Sequence, residues 1–370
     1  MTKPAEKKLR VLVVDDSAFM CRVLQEMINS DPQLEVAGQA RDGRDAVTLA
    51  DSLRPDVITM DINMPHVDGL QATAMIMSNH PRPIVIVSSE SKEGAASTLR
   101  ALELGAIDFV PKPSSGVDLD MRNIRDDLNR KLKIAAKVRV VRTATRSKLP
   151  IPHAPAPASI SATGAAVAAQ NGGKFPMIVV AASTGGPAAV MRVVGGLPKD
   201  LPAAVFLVLH MPAAFTKQFA IQLAEISPLQ VKEAEHNEPP QPGSIYLCPG
   251  SHHLRLSSTG NIMLDSGARI DGYRPCADVA FETIASFART FALGVVLTGM
   301  GGDGAKGVVA MKNAGGYVLA QDEATSVIFG MPSEAIKTGS VDDILPLDEI
   351  AAAIEKRVAK LARLAPVGVR

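Results

Sequence analysis

The chain is poor in three things, and each shortage closes off a class of function. Charge is nearly cancelled, with 39 Lys and Arg against 38 Asp and Glu and a formal net charge of +1 over 370 residues. Such a balance supplies no global field for holding nucleic acid. Long apolar runs are missing: none approaches the roughly 20 residues that span a bilayer, and the charged opening residues lead into no signal-peptide core. A cytoplasmic protein, not inserted in a membrane, is the expectation. Cysteine is scarce, and Cys21, Cys248 and Cys276 lie far apart without Cys-x-x-Cys spacing. That excludes a disulfide framework or a zinc knuckle and leaves small apolar core fillers.

What is present is an apolar fraction of 46%, enough at this length for about two or three domains with sizeable cores. Residues 9–14, 34–40, 56–60, 83–87 and 107–110 read as short strands separated by helix-length segments, with a closing helix over 118–138. This alternation predicts a doubly wound parallel sheet covered on both faces, over residues 1–130. From Arg139 to Gly173 the chain turns to Pro, Ala, Ser, Thr and Gly with no acidic residue, and residues 131–173 are expected to be a helix end and flexible linker. Its basic lead-in lacks the aromatics of a nucleic-acid surface. Strand-like runs resume at 177–182, 204–209, 244–248, 292–297 and 316–320, with helices near 187–195, 213–225, 275–291 and 304–314. A second α/β domain over 174–356, with a mixed but mostly parallel sheet, and a tail over 357–370 complete the expected layout.

In such sheets, sites form beyond the carboxyl ends of the strands. Asp15 and Asp16 end the first strand, Asp61 follows the third, Ser88 ends the fourth and Lys112 follows the fifth. Crowded carboxylates call for a hard divalent cation, and all-oxygen donors, with the Asn63 carbonyl completing the set, suit Mg²⁺. With Lys112 drawing off phosphoryl charge, Asp61 becomes an acceptor for in-line attack on phosphorus, and Ser88 can hydrogen-bond the new phosphoryl oxygens. The matches VLVVDDS, MDINMPHVDG, VSS and FVPKP resemble the receiver domain of two-component response regulators. The resemblance implies a flavodoxin-like fold with Asp61 as phosphoacceptor. It further implies Asp15 and Asp16 at the Mg²⁺, Lys112 on the phosphate, and Ser88 with Phe109 as a switch pair.

In the second domain Ser183 follows a strand and precedes Gly185-Gly186-Pro187, a turn into a helix whose N–H groups point toward developing negative charge. The pattern is near a nucleophile elbow, with Ala181 in place of the first Gly, and it is equally compatible with a plain helix cap. His210 ends the run AVFLVL and is favoured as base over His236 and the His252-His253 pair, which sit in turn-like contexts. Asp303, in GMGGDG after a strand, is favoured as orienting acid over Asp271, Asp278 and Asp322. That loop also satisfies G-x-G-x-x-G, but it comes late in its domain and puts a carboxylate inside the phosphate cradle, against a dinucleotide site. ASTGGP lacks the Gly-Lys-Ser/Thr ending of a P-loop.

MIVVAASTGGP, LHMP, YLCPGSHHLRL, GYRPCADVAF, GVVLTGMGGDGAKG and AQDEATSVIFGMP resemble the catalytic domain of chemotaxis methylesterases, the CheB family. The resemblance implies Ser183 as nucleophile, His210 as base, Asp303 as its acid, and the Thr184 and Met300 backbone N–H groups as oxyanion donors. It implies hydrolysis of glutamate methyl esters on methyl-accepting chemotaxis receptors, releasing methanol without a cofactor, and a related glutamine deamidation. A chemotaxis histidine kinase would be phosphodonor, with recruitment to membrane receptor arrays. Ala181 and Leu209 depart from the Gly and Gln common in the family. A receiver joined to a scaffold module is the alternative, and a Ser183 beyond reach of His210 would favour it. A DNA-binding output would need a basic recognition helix after the linker, where this sequence has strands.

Overall fold

The computed structural model describes residues 7–89, 91–113, 118–138 and 175–363. The chain divides into two compact units, Met1–Leu149 and Pro150–Arg370.

In the first unit, strands β1 (Leu9–Val14), β2 (Leu34–Ala40), β3 (Val57–Met60), β4 (Ile84–Ser88) and β5 (Asp108–Pro111) form a sheet of order β2-β1-β3-β4-β5. Every pairing in it is parallel. Helices α1 (Ala18–Asn29), α2 (Gly43–Leu53), α3 (Gly69–Asn79), α4 (Lys92–Glu103) and α5 (Asp118–Ala135) alternate with the strands. The inner strands are unbroken apolar runs because both faces are covered, and Val11 through Val14 and Ile84 through Val87 are all buried. Four helix starts are fixed by side-chain caps, from Ser17, Asp42, Asp68 and Ser91, each accepting a first-turn N–H. Asp68 and Gln71 complete a capping box at α3.

The alternation of strand and helix predicted from the sequence holds. The expected boundary at residue 130 cuts through α5, where Leu132 and Ala135 are fully buried and Lys131 reaches back to the Phe109 carbonyl at 2.6 Å. Residues 131–135 are thus packed helix, because apolar positions spaced along α5 continue onto the sheet. The linker reading for 139–173 lies outside the described residues.

The second unit contains β6 (Met177–Ala182), α6 (Gly186–Gly195), β7 (Ala204–Leu209), α7 (Ala213–Ile226), β8 (Gln230–Glu233) and β9 (Ser244–Leu247). A hairpin of β10 (His253–Leu256) and β11 (Ile262–Asp265) follows, then α8 (Ala277–Ala288), β12 (Ala292–Val296), α9 (Ala305–Asn313) and β13 (Tyr317–Gln321). The unit closes with α10 (Met331–Lys337), β14 (Asp343–Leu345) and α11 (Leu347–Arg363). Seven strands form one sheet of order β14-β13-β12-β6-β7-β9-β8, and all its pairings are parallel. The expected mixture is resolved by separation, since antiparallel pairing lies outside that sheet, in the β10–β11 hairpin and an isolated bridge between Ile270 and Tyr273.

Residues 357–363 are not tail. They are the last turns of α11, and Val358 and Leu361 are buried with Ile350 and Ile354 along one stripe. Each such side chain contributes about 1.5–3 kcal/mol of burial.

Candidate active site

The chain enters the large sheet at β6, runs outward through β7, β8 and β9, and returns to the other side of β6 at β12. The order reverses between β6 and β12, and open α/β sheets place sites outside the carboxyl ends of strands at such a reversal. Ala182 pairs in register with Leu209, so Ser183 and His210 are the next residues of two adjacent strands, about 4.8 Å apart in the hydrogen-bonding direction. On the other flank the Ser183 N–H donates to the Thr298 carbonyl at 3.1 Å, which brings the loop after β12 alongside.

Backbone contacts hold the serine turn. The Gly186 N–H donates to the Ser183 carbonyl at 2.7 Å, and Gly185, at φ 73°, turns the chain into α6 with Pro187 in the first turn. The Thr184 N–H donates to no protein acceptor among the described residues. Thr298 clamps this turn: its hydroxyl donates to the Thr184 carbonyl at 3.0 Å and accepts the Ile328 N–H at 2.9 Å. Its own N–H donates to the fully buried Gln321 side chain at 2.8 Å. Gly299 has no room for a side chain, since a Cβ there would lie 2.9 Å from both the Ser183 Cβ and its backbone nitrogen.

His210 Nε2 lies 2.7 Å from Asp303 Oδ2. The imidazole stacks on Tyr273 with ring centroids 4.4 Å apart and planes 17° from parallel, which fixes its plane. Nδ1 is buried and has no hydrogen-bond partner among the described residues, Ser183 included; catalytic hydrogen bonds commonly tighten only in the substrate complex. Asp303 is buried, yet each oxygen has two donors. Oδ2 faces His210 and accepts the Ala277 N–H at 2.6 Å, while Oδ1 accepts the Asp278 N–H at 3.0 Å and the Cys276 thiol at 3.2 Å. Burial opposes its charge, but the His210 contact and the two N–H donors outweigh it and hold the carboxyl below the usual carboxylate range.

The other candidates have different work. His253 is buried, with Nε2 on the Ala268 carbonyl at 3.0 Å and Nδ1 accepting the Cys276 N–H at 3.2 Å. His252 meets the Ser251 hydroxyl, and His236 meets the Leu264 backbone. Asp271 pairs with Lys306, and Asp322 caps the turn at Thr325. Met300, the second proposed oxyanion donor, follows Gly299, whose carbonyl accepts the Gly330 and Met331 N–H groups at 3.1 and 2.8 Å.

In the first unit the order reverses between β1 and β3, and Asp15 and Asp61 lie there. Lys112 Nζ is 2.9 Å from an oxygen of each. The other Asp61 oxygen accepts the Ile62 N–H at 2.8 Å, and the other Asp15 oxygen accepts the Ser17 N–H at 3.0 Å. Burial pushes the Asp61 carboxyl up, with Asp15 adding to the shift and Lys112 only partly offsetting it. For Lys112 burial works the other way, but the two carboxylates prevail and its pKa is raised. Asp15, Asp16 and Asp61 each offer an oxygen within 4.8 Å of the others, an all-carboxylate donor set that fits a hard dication. Asn63, two residues after Asp61, is exposed. Gly69 permits the loop to fold under Asp61, since a Cβ there would fall 2.0 Å from the Asp61 carbonyl oxygen. Ser88 is buried with its hydroxyl on the Gly94 carbonyl at 3.2 Å, and Phe109 is buried, with the Lys131 ammonium 5.3 Å from its ring centroid.

Comparison with known proteins gives two family profiles: CheB methylesterase over residues 178–354 and response regulator receiver domain over 11–123. A protein-glutamate methylesterase/protein-glutamine glutaminase of Pyrococcus abyssi is 42% identical over 95% of this chain and 94% of its own length. One of the same description from Symbiobacterium thermophilum is also 42% identical, covering 97% of this chain and all of the relative. The chain belongs to the CheB methylesterase family. It carries the receiver ahead of the methylesterase domain, as the sequence motifs imply. The crystal structure of the Thermotoga maritima CheB methylesterase catalytic domain is 39% identical, covers 50% of this chain and 98% of that one, and has a TM-score of 0.48.

Several residues around the candidate site are not singled out in the sequence. Thr298, Gln321 and Tyr273 act through contacts between segments far apart in the chain, while Asp278 is weighed there only as an orienting acid and Cys276 read only as a core filler. A buried Gln ending an apolar strand was the one readable signal, since a polar side chain there needs a specific partner. No helix of the described residues is long and apolar enough to cross a membrane.

Proposed function

We propose that Ser183, His210 and Asp303 form the catalytic triad of a protein-glutamate methylesterase, controlled by phosphorylation of Asp61. The observation that carries this reading is the 2.7 Å His210–Asp303 pair at the strand end in register with Ser183. His210 Nδ1 takes the Ser183 hydroxyl proton while Oγ attacks the side-chain carbonyl of a glutamyl methyl ester. The new C–O bond turns the carbonyl into an oxyanion, held by backbone N–H groups at Thr184 and Met300. Collapse breaks the bond to methoxide, which leaves as methanol with the proton from Nδ1. Water then attacks the acyl-enzyme by the same exchange, giving glutamate and free Ser183. Asp303, bound to Nε2, holds the ring and supports its cationic form. Glutamine deamidation follows the same course with ammonia as leaving group.

Asp61 is the phosphoacceptor in this reading. Its carboxylate attacks the phosphoryl group of a kinase phosphohistidine, forming an O–P bond as the N–P bond breaks. Asp15, Asp16, Asp61 and the Asn63 carbonyl would hold Mg²⁺, which supplies charge neutralisation at the phosphoryl oxygens. Lys112 supplies a further positive charge, and Ser88 and Phe109 respond to the new group. Receptors carrying methylated glutamates are the substrate and a chemotaxis histidine kinase is the phosphodonor, which places the protein in the cytoplasm at receptor arrays. The unphosphorylated receiver restrains the esterase, and phosphorylation releases it.

Methanol release from a methylated receptor tests the reading directly. S183A is expected to lose about 10⁴-fold or more in kcat with its fold intact by circular dichroism. An S183A protein that turned over at the wild-type rate would overturn it and favour the scaffold alternative.

A further inference from the structure

Helices α8 and α9 both begin without help from their own caps. Cys276 at the head of α8 and Gly304 at the head of α9 make no side-chain capping bond. Each start is capped from the other helix. Asp303, just ahead of α9, accepts the Ala277 and Asp278 N–H groups of α8. Asp278, in the first turn of α8, accepts the Gly307 N–H of α9 at 2.6 Å. The two N-termini therefore exchange carboxylates, and each carboxylate lies where its host's dipole favours negative charge.

Burial fixes this arrangement in place. Asp278 and Asp303 are 8% and 4% exposed, and Cys276 is 1% exposed. The thiol's pKa is pushed up to about 12, first by burial and then by Asp303, so it is a donor S–H. One ligand atom from each of the three residues lies within 4.8 Å of the others, a spacing a cation could use. Both Asp303 oxygens already have two partners, however, and capping accounts for the cluster. The bond to His210 is one of four on Asp303, and the other three come from the head of α8.

We infer that Asp278 and Cys276 are positioning residues for ester hydrolysis, setting the direction of the Asp303 carboxylate and, through it, the tautomer of His210. The inference rests on the triad reading above. Without the Asp278 acceptor the head of α9 is free to shift, and Asp303 stands two residues before that helix. Without the thiol, Oδ1 keeps one donor and the carboxylate can rotate about its Cβ–Cγ bond.

The test uses the full chain, with methanol release measured well below the melting temperature of each variant. D278A is expected to lower kcat about tenfold with KM unchanged, since misdirection of a catalytic group acts on turnover. D278N, which keeps a side-chain oxygen for Gly307, should recover most of that loss. C276A should cost about threefold, the scale of one hydrogen bond, and C276S should restore it. The proton between His210 Nε2 and Asp303, read by NMR, should move upfield in D278A and C276A and return in the conservative variants. If D278A does not fold, the C276A and C276S pair and its proton shift decide. Wild-type kcat and an unmoved proton in the alanine variants, with S183A and D303A inactive, would overturn this inference and leave the triad standing. Full activity in S183A or D303A would remove the triad itself, and the inference with it.

Discussion

Two buried aspartates, each at the strand reversal of a parallel sheet, have opposite electrostatic fates. Asp61 sits beside Asp15 with one shared ammonium, and burial drives its carboxyl up. Asp303 has two donors on each oxygen, and its carboxyl is driven down. The topology is common to both sites, so the difference comes from their neighbours. Asp61 is held in an under-compensated negative cluster, which suits the phosphoacceptor role proposed for it. Asp303 has two donors on each oxygen, which suits the role proposed for it of steadying an imidazolium without taking its proton. On these proposed roles the reactive carboxylate is left partly unsatisfied, and the supporting one is not.

The sharpest way to break that contrast is to neutralise each residue in turn. D303N should lower kcat about 10⁴-fold, because the amide favours the wrong tautomer of His210. D61N should retain basal methanol release and lose all stimulation by a small-molecule phosphodonor. Stimulation that survived in D61N would remove Asp61 as acceptor. Chelation of divalent metal should copy D61N, abolishing stimulation and leaving the basal rate unchanged; a fall in basal rate would place the metal in the esterase chemistry.

Stability should divide the same pair by sign. A carboxyl with a lowered folded pKa contributes stability above its unfolded pKa, lost as pH falls through the folded value. D303N should therefore lower the melting temperature at neutral pH, with the deficit shrinking in acid. A carboxyl with a raised folded pKa behaves oppositely, its contribution being full below the unfolded pKa and lost as pH rises through the folded one. D61N should raise the melting temperature at neutral pH while removing the phosphorylation response. Calorimetric transitions that moved the same way in both variants would defeat the comparison.

The smallest expected effect belongs to Asp278, pushed up to about 6 by burial and by Asp303, with Glu282 adding to the rise and the Gly307 N–H opposing it. Wild type should lose some stability as pH rises from about 4 to 7. D278N should flatten that slope, and an unchanged slope would show that the carboxyl stays charged throughout.

The sites were legible in sequence to the extent that strands and their ends were. Asp15, Asp61, Ser183 and His210 each follow an apolar run, and parallel sheets bring such positions to one edge. Asp303 was legible through its place in the glycine-rich loop GMGGDG that follows a strand. Its partners were not, since the exchange of caps between α8 and α9 depends on how the helices meet, and neither helix carries an unusual first turn. Edge strands were lost for a different reason. QVKE and DIL, the sequences of β8 and β14, are short and carry no long apolar run, as suits strands with no neighbour on one long side. The β10–β11 hairpin left a readable trace in its turn, where Gly260 at φ 89° follows Ser257-Ser258-Thr259. The stripe of α11 was hidden by its Ala and Lys content, although Val358 and Leu361 continue the spacing of Ile350 and Ile354.

Gly299 has a consequence for how this enzyme can change. Its carbonyl holds the loop ending at Met331, and one of its two α-hydrogens occupies the space a methyl group would need beside Ser183. Any residue other than glycine at this position would place its Cβ against Ser183 and the Met331 sulfur, so one of them must shift. A side chain here would therefore disturb the serine turn without altering any of the three residues proposed to carry the chemistry.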